Sequence, residues 1–225
     1  MINSKSSELE VANVIPSEAE VVMEEPNVLS IKSKPVKRVN VRMMAIIAVL
    51  SSISIMLSMT PLGFIPIGPT NATIMHIPVI IGAIVEGPIV GITVGSIFGV
   101  TSLVRALTMP TITSFALINP LVSILPRVLI GIVAYYVYKL TVKFTKNAFV
   151  SGWITGVIGS LVNTIGVLGM IYILYGARYA EALGKSASAA KTVIFTIIAT
   201  NGIPEAIVGG FVVSAVCVVF NKRKK

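Results

Sequence analysis

The chain has 225 residues, of which 55% are hydrophobic and only 12% are charged. Soluble domains carry about 25% charged residues, so this composition, with a mean hydropathy of +0.92, excludes an ordinary soluble domain. The net charge of +9 does not indicate nucleic-acid binding, because the basic residues cluster at the ends of apolar segments, as in membrane proteins. One His, one Cys and no Asp leave too few side chains for metal or triad chemistry, so no cofactor is expected.

Residues 1–40 carry six glutamates followed by lysines and an arginine, without apolar periodicity. They are predicted to form a disordered cytoplasmic tail. Six apolar segments follow, and most approach the roughly 20 residues that a transmembrane helix needs. The sequence therefore predicts an all-α membrane bundle of six transmembrane helices over residues 41–225. Their predicted bounds are 42–59, 71–86, 89–107, 121–140, 149–175 and 191–220.

The stretch 65–105 predicts the packed centre of this bundle. A polar loop stiffened by prolines precedes helix 2 and is expected to act as a lid. Helices 2 and 3 are separated by a sharp turn at Gly87-Pro88. Glycines at 91, 95 and 99 line one side of helix 3, so another helix can approach its backbone closely.

The distribution of Lys and Arg predicts the orientation of the bundle. Twelve of these residues flank helix 1, join helices 4 and 5, or close the chain, and all twelve fall on one side of the membrane. The opposite side has only Arg105, Arg178, Lys185 and Lys191. Both termini are therefore expected to be cytoplasmic.

Ionisable and polar groups inside a bilayer are costly and mark functional sites by default. Five residues qualify, namely His76, Arg127, Asn163, Asn201 and Glu205. With a helix rise of about 1.5 Å per residue, Arg127 lies roughly 9 Å below the outer surface, and Asn201 and Glu205 lie near the midplane. His76 and Arg105 fall near the outer ends of their helices. All these groups are compatible with one cavity that opens to the outside.

Other interpretations of these residues remain open at this point. Arg127 and Glu205 are also compatible with a structural ion pair, and Asn163 with a bond between helices. His76 is equally compatible with a hydrogen-bonding role at a helix start. Glu86 fits a solvated turn residue, and Pro204 predicts a local break in helix 6.

Seven short motifs occur in a fixed order along residues 42–222, namely Thr73–Gly82, Glu86–Pro88, Gly95–Gly99, Asn119–Pro120, Leu125–Arg127, Asn163–Thr164 and Asn201–Ala206. In their order and spacing, these motifs resemble those of the substrate-binding S components of energy-coupling-factor (ECF) vitamin transporters. The pantothenate-type subgroup is the most similar and the folate-type subgroup is next.

The resemblance implies a protein of the bacterial plasma membrane that captures a vitamin from outside. Release would require a transmembrane coupling protein and two ATPase subunits. A face of small residues on helix 1, here Ala45, Ala48 and Ser52, would meet the coupling protein. Two loops, including Asn71 in the first, would cover the ligand.

For pantothenate, Arg127 is the best partner of the carboxylate, because guanidinium binds carboxylate bidentately, and Arg105 is the alternative. Asn163, Asn201 and Glu205 would bind its hydroxyl and amide groups, and His76 is a further candidate contact. A secondary transporter or channel for a small anionic solute is the main alternative function. A small intramembrane enzyme is a weaker one, since the chain lacks paired acids or a nucleophile with a base.

Overall fold

The computed structural model describes residues 22–24, 28–30, 41–67 and 70–222. The chain divides into two units, residues 1–40 and 41–225. In the first unit, strand β1 (Val22–Glu24) pairs antiparallel with strand β2 (Val28–Ser30). The rest of the predicted disordered tail lies outside the described residues.

The second unit is a bundle of helices, which confirms the predicted all-α membrane architecture. Among the described residues, five helices (α1, α3, α5, α6 and α7) are long and apolar enough to cross a membrane. The elements in chain order are α1 Val41–Met59, β3 Phe64–Ile67, β4 Thr70–Thr73, α2 Ile77–Glu86, α3 Pro88–Thr108, α4 Ser114–Leu117, α5 Pro120–Thr145, α6 Ala148–Ala182 and α7 Ala190–Lys222.

Helix α2 differs from its prediction. It begins at Ile77 rather than Asn71 and has only 10 residues. The residues predicted as its first turns instead form β4, which pairs antiparallel with β3. Threonine favours the strand conformation, and Pro78 fits the first turn of a helix, where its missing N–H is not needed. The predicted lid is therefore a short β-hairpin, named the hairpin below.

Two pairs of helices cross where glycines allow backbone contact. A Cβ on Gly91 would lie 2.9 Å from the Cα of Gly131, and a Cβ on Gly95 would collide with the carbonyl oxygen of Arg127. Helix α3 therefore packs directly on the backbone of α5. Similarly, a Cβ on Gly156 of α6 would collide with the carbonyl group of Gly209 on α7. Because the helix backbones touch at these crossings, the side chains next to the glycines are held in fixed positions relative to the other helix.

Helix α7 does not break at Pro204, contrary to the sequence-based expectation, and α5 likewise continues through Pro126. A proline removes a backbone donor, but tightly packed neighbouring helices tolerate this at membrane depth. Glu86 also differs from the expected solvated residue, because it pairs with Arg42 at 3.0 Å and its side chain is only 14% exposed.

Candidate functional site

A cavity of about 400 Å³ lies at the end of the bundle where the hairpin and α4 are found. Helices α3, α5, α6 and α7 supply its walls. Five of the seven predicted binding residues line this one cavity, namely Arg105, Arg127, Asn163, Asn201 and Glu205. The cavity therefore collects side chains that are far apart in the sequence, as the depth argument predicted.

Arg127 is the most deeply placed cation of the cavity. Its side chain is 6% exposed, and its position follows from the glycine contact between α3 and α5. One guanidinium nitrogen donates to the carbonyl oxygen of Val122 at 2.8 Å and another to Ser102 at 3.4 Å. The ring of Phe98 lies 5.4 Å from the guanidinium carbon. The Nε–H group is buried and has no partner among the residues that the structure describes, so Arg127 retains a donor for a ligand.

Arg105 lies near the last turn of α3 and is more exposed than Arg127. Its guanidinium carbon stands 3.9 Å from the ring centroid of Phe64 on the hairpin. This stacking leaves the edge of the guanidinium group able to donate hydrogen bonds. Arg105 therefore gives the cavity a second positive charge, beside the hairpin.

Two asparagines supply neutral polar groups. Asn163 on α6 is 6% exposed, and its buried side-chain oxygen has no hydrogen-bond partner within the described part of the chain. Asn201 on α7 is 5% exposed and lines the same cavity. Buried polar atoms normally have partners, so the unpartnered oxygen of Asn163 marks a place where a ligand donor would be stabilised.

Glu205 lies one helical turn after Asn201, and both residues face the cavity as their i, i+4 spacing predicts. One carboxylate oxygen accepts from the backbone N–H of Thr73 at 2.5 Å and from its hydroxyl at 3.1 Å. The other accepts from the hydroxyl of Thr164 at 2.5 Å. The carboxylate thus joins β4, α6 and α7.

Arg127 and Glu205 do not form an ion pair with each other. Among residues 41–67 and 70–222, the ion pair that does form joins Arg42 and Glu86. The direct contact that a structural Arg127–Glu205 ion pair would require is therefore not seen between these two described residues. Instead, the guanidinium and the carboxylate are separate groups in the wall of one cavity.

The other two predicted binding residues are His76, which is not among the described residues that line the cavity, and Asn71, whose side chain lies outside the described part of the structure. His76 is fully buried and its Nε2 lies 2.8 Å from the hydroxyl of Ser160 on α6. It directly precedes α2, but its side chain makes no capping hydrogen bond there, so the expected hydrogen-bonding role at a helix start is not seen. Asn71 lies in β4, opposite Pro66 of β3.

Sequence reasoning missed several polar and aromatic contacts of the site. Ser102, Thr73 and Thr164 hold the two charged groups, and Phe64 and Phe98 stack on the arginines. Thr73 and Thr164 stood in the motifs that suggested the family, and Thr164 directly follows Asn163. Nothing in the local pattern of a hydroxyl or an aromatic residue, however, indicates which distant charge it will meet.

The arrangement is suited to binding a small anion. Among the described residues that line the cavity, two carry a guanidinium group and one carries a carboxylate, so the formal charge of this lining is +1. A ligand with a single negative charge would neutralise it. Hydroxyl and amide groups of the ligand would find partners in the asparagines and threonines, and apolar residues of α6 and α7 would cover its hydrocarbon part.

Comparisons with known proteins agree with this architecture. The family model for the substrate-specific component of ECF transporters matches residues 42–217. The Pantothenic acid transporter PanT of Lactococcus lactis subsp. cremoris is 29% identical over 171 residues, covering 69% of this chain and 81% of that protein. The Pantothenate transporter PanT of Leuconostoc mesenteroides is 28% identical over 163 residues, covering 69% of this chain and 79% of that protein.

A solved structure of ThiT from Listeria monocytogenes has a similar fold. Its TM-score is 0.58 at 18% sequence identity, and the match covers 81% of this chain and 96% of that chain. Residues 42–217 of the family match contain every helix from α2 to α6 and most of α1 and α7. This coverage favours a transport role over the enzyme, channel and secondary-transporter alternatives. The chain is a multi-pass membrane protein that belongs to the family of ECF transporter substrate-specific components.

Proposed function

We propose that this chain captures pantothenate from the extracellular side for an ATP-driven ECF transporter of the bacterial plasma membrane. Both termini would then be cytoplasmic, as the distribution of basic residues predicts. The cavity, which lies at the hairpin end of the bundle, would face outward.

The observation that carries this proposal is the charge and polarity of the cavity lining. Pantothenate has one carboxylate, two hydroxyls and one amide, and it carries a single negative charge. Arg127 is suited to the carboxylate because it is buried with a free Nε–H donor, with Arg105 as the second cation. Asn163 and Asn201 would then bind the hydroxyl and amide groups.

Thiamine, riboflavin and folate fit the lining less well than pantothenate. Thiamine is a cation and would meet two arginines. Riboflavin has no carboxylate, which would leave a buried guanidinium without an anion. Folate carries two carboxylates on a much larger molecule. The names of the two PanT relatives, at 29% and 28% identity, support the same choice.

Equilibrium binding to the detergent-purified chain tests the ligand directly. We expect labelled pantothenate to bind and to be displaced by unlabelled pantothenate, but not by thiamine, riboflavin, folate or biotin. The matched control ligand is pantothenyl alcohol, in which a hydroxymethyl group replaces the carboxylate of pantothenate and the rest of the molecule is the same. It should bind at least about 100-fold more weakly, because the buried guanidinium loses its charged partner.

Displacement by a different vitamin would contradict the choice of pantothenate while leaving the transport role in place. Equal affinity for pantothenate and its alcohol would contradict the role of the arginines. Uptake in cells provides a separate check, since the proposed capture subunit transports only together with the ATPase subunits.

The proposed partners are the transmembrane coupling protein and two ATPase subunits. Ala45, Ala48 and Ser52 are all exposed on α1, and the hydroxyl of Ser52 is satisfied by the carbonyl oxygen of Ala48 at 2.8 Å. This face of small residues would allow another helix to approach closely. It supports the proposal that α1 meets the coupling protein.

Replacing Ala48 with tryptophan is therefore expected to abolish pantothenate uptake without weakening pantothenate binding. The bulky ring would keep the helix of the coupling protein away from α1, whereas the cavity is formed elsewhere. Ile173→Trp on α6 is the matched control, because Ile173 is 79% exposed but is not on α1. Uptake by the Ala48→Trp protein at the unaltered rate would contradict this interface.

A further inference from the structure

The carboxylate of Glu205 was expected to bind ligand, yet its hydrogen bonds go to the protein. Three donors from Thr73 and Thr164 reach its two oxygens. Glu205 is itself 4% exposed. Two of the three donors belong to Thr73, the last residue of the hairpin, and the third belongs to Thr164 on α6.

The base of the hairpin is attached to the helices by other contacts. The hydroxyl of Ser54 on α1 donates to the carbonyl oxygen of Met75 at 3.3 Å. His76 bonds to Ser160 at 2.8 Å, and Ser160 donates its own proton to the carbonyl oxygen of Gly156. His76 therefore donates through Nε2–H. These bonds fix the base of the hairpin to α1 and α6 without using Glu205.

At its open end, where Phe64 and Thr73 lie opposite each other, the hairpin meets two charged groups of the cavity. Phe64, the first residue of β3, lies under the guanidinium group of Arg105. Thr73, the last residue of β4, bonds to Glu205. Both charged residues line the cavity, so the groups that hold the hairpin are part of the cavity wall.

The α4 side of the cavity is held in a different way. Phe115 of α4 packs edge-on against Tyr175, with ring centroids 5.9 Å apart, and lies under Arg178. The side chain of Asn119 donates to the hydroxyl of Tyr175 at 3.1 Å. None of these four residues lines the described cavity. The hydroxyl of Ser114, at the start of α4, lies 2.8 Å from that of Thr111, and both residues line the cavity. None of these contacts of α4, however, involves Glu205.

From this difference we infer that Glu205 is a positioning residue that holds the hairpin closed through Thr73 and thereby sets the rates of ligand entry and exit. The inference rests on the proposed function and assigns Glu205 a role other than direct contact with the ligand. Opening the hairpin removes two of the three hydrogen bonds from a buried carboxylate. Closure is therefore favoured in both the free and the ligand-bound protein.

The kinetics of pantothenate binding distinguish the two roles of Glu205. If the carboxylate holds the hairpin, Glu205→Gln should raise kon and koff together by about tenfold, because neutral hydrogen bonds are weaker than charge-assisted ones. The Kd should then change by less than about threefold, since closure is weakened equally in both states. A residue that contacts the ligand would instead change koff and Kd, with kon nearly constant.

Thr73→Val should act in the same direction as Glu205→Gln, because it removes the hydroxyl but keeps the backbone N–H. The matched control is Thr101→Val, since the hydroxyl of Thr101 bonds only within α3, to the carbonyl oxygen of Ile97 at 2.8 Å. That control should leave both rate constants unchanged.

A second measurement needs no ligand. In a Cys217→Ser background, Ser58→Cys places a thiol in the cavity at the end of α1, where the serine is 1% exposed. Ala116→Cys places one in α4, where the alanine is fully buried. Adding Glu205→Gln should speed maleimide labelling of the thiol at position 58 and leave the rate at position 116 unchanged.

An unchanged rate of labelling at position 58 would overturn the inference. Equal acceleration of labelling at positions 58 and 116 would also overturn it, because it would show that the substitution destabilises the whole bundle. An increase of Kd through koff alone would also overturn it. If labelling at position 58 rises but pantothenate does not bind, the proposed ligand is wrong while the role of Glu205 in holding the hairpin stands.

Discussion

Replacing Arg127 with methionine is expected to weaken pantothenate binding by about two orders of magnitude or more. Truncating one partner of a buried charge pair costs about 2–5 kcal/mol, and each 1.4 kcal/mol corresponds to about tenfold in affinity. Methionine fills much of the space of the arginine side chain but offers no donor. The loss should appear mainly in koff, because the remaining cavity and the route to it are unchanged. Isothermal titration or equilibrium dialysis of the purified chain measures the effect.

Two other arginines provide the comparison. Arg105→Ala should have a smaller effect than Arg127→Met, because Arg105 is more exposed and solvent screens its charge. Arg42→Gln removes the same unit of charge next to Glu86, outside the cavity lining, and should leave affinity unchanged. Unaltered pantothenate affinity in the protein that combines Arg127→Met with Arg105→Ala would refute the assignment of the carboxylate site.

Replacing Gly95 with alanine is expected to produce the largest loss of stability and, with it, a loss of binding. The new Cβ would collide with the backbone of Arg127, and rigid backbone cannot move aside as a flexible side chain can. Overpacking of this kind costs about 1–3 kcal/mol, occasionally more. Since α3 would have to move away from α5, Arg127 would lose its place beside Ser102. We expect the apparent Tm in detergent to fall by several degrees and pantothenate affinity to fall with it.

The matched control is Gly169→Ala on α6, where an added Cβ meets no atom within 4 Å. This control makes the same glycine-to-alanine change without a collision. Alanine in a helix is also more favourable than glycine by about 0.8–1.0 kcal/mol. The Tm should therefore stay constant or rise. A Gly95→Ala protein as stable as the Gly169→Ala protein would show that the close contact between α3 and α5 is not required.

Much of the site was predictable because membrane depth follows from position along a helix. Arg127, Asn163, Asn201 and Glu205 occur at intervals that place them at compatible depths, and the structure brings all four to one cavity. The i, i+4 relation of Asn201 and Glu205 held because α7 continues through Pro204. These predictions depend on local geometry alone.

Pairing of the charged groups was not predictable in the same way. The sequence suggested that Glu205 balances Arg127, whereas the carboxylate bonds to Thr73, 132 residues away, and to Thr164, 41 residues away. The hydrogen-bond partner of His76 was equally unpredictable, since it is Ser160, 84 residues away. Which donor reaches a charge depends on how the helices cross, and this is set by glycine contacts between distant segments.

By itself, the sequence determined that this chain is a bundle of apolar helices in a membrane, because long apolar segments with basic flanks have no stable alternative in water. It also determined which few polar residues lie at depth. The tertiary structure alone decided that residues 70–73 form a strand instead of the start of a helix, and that this strand is held by Glu205. The reason is physical: a buried carboxylate is stabilised by the donors that folding brings to it, and those donors come from β4 and α6, elements far from Glu205 in the chain.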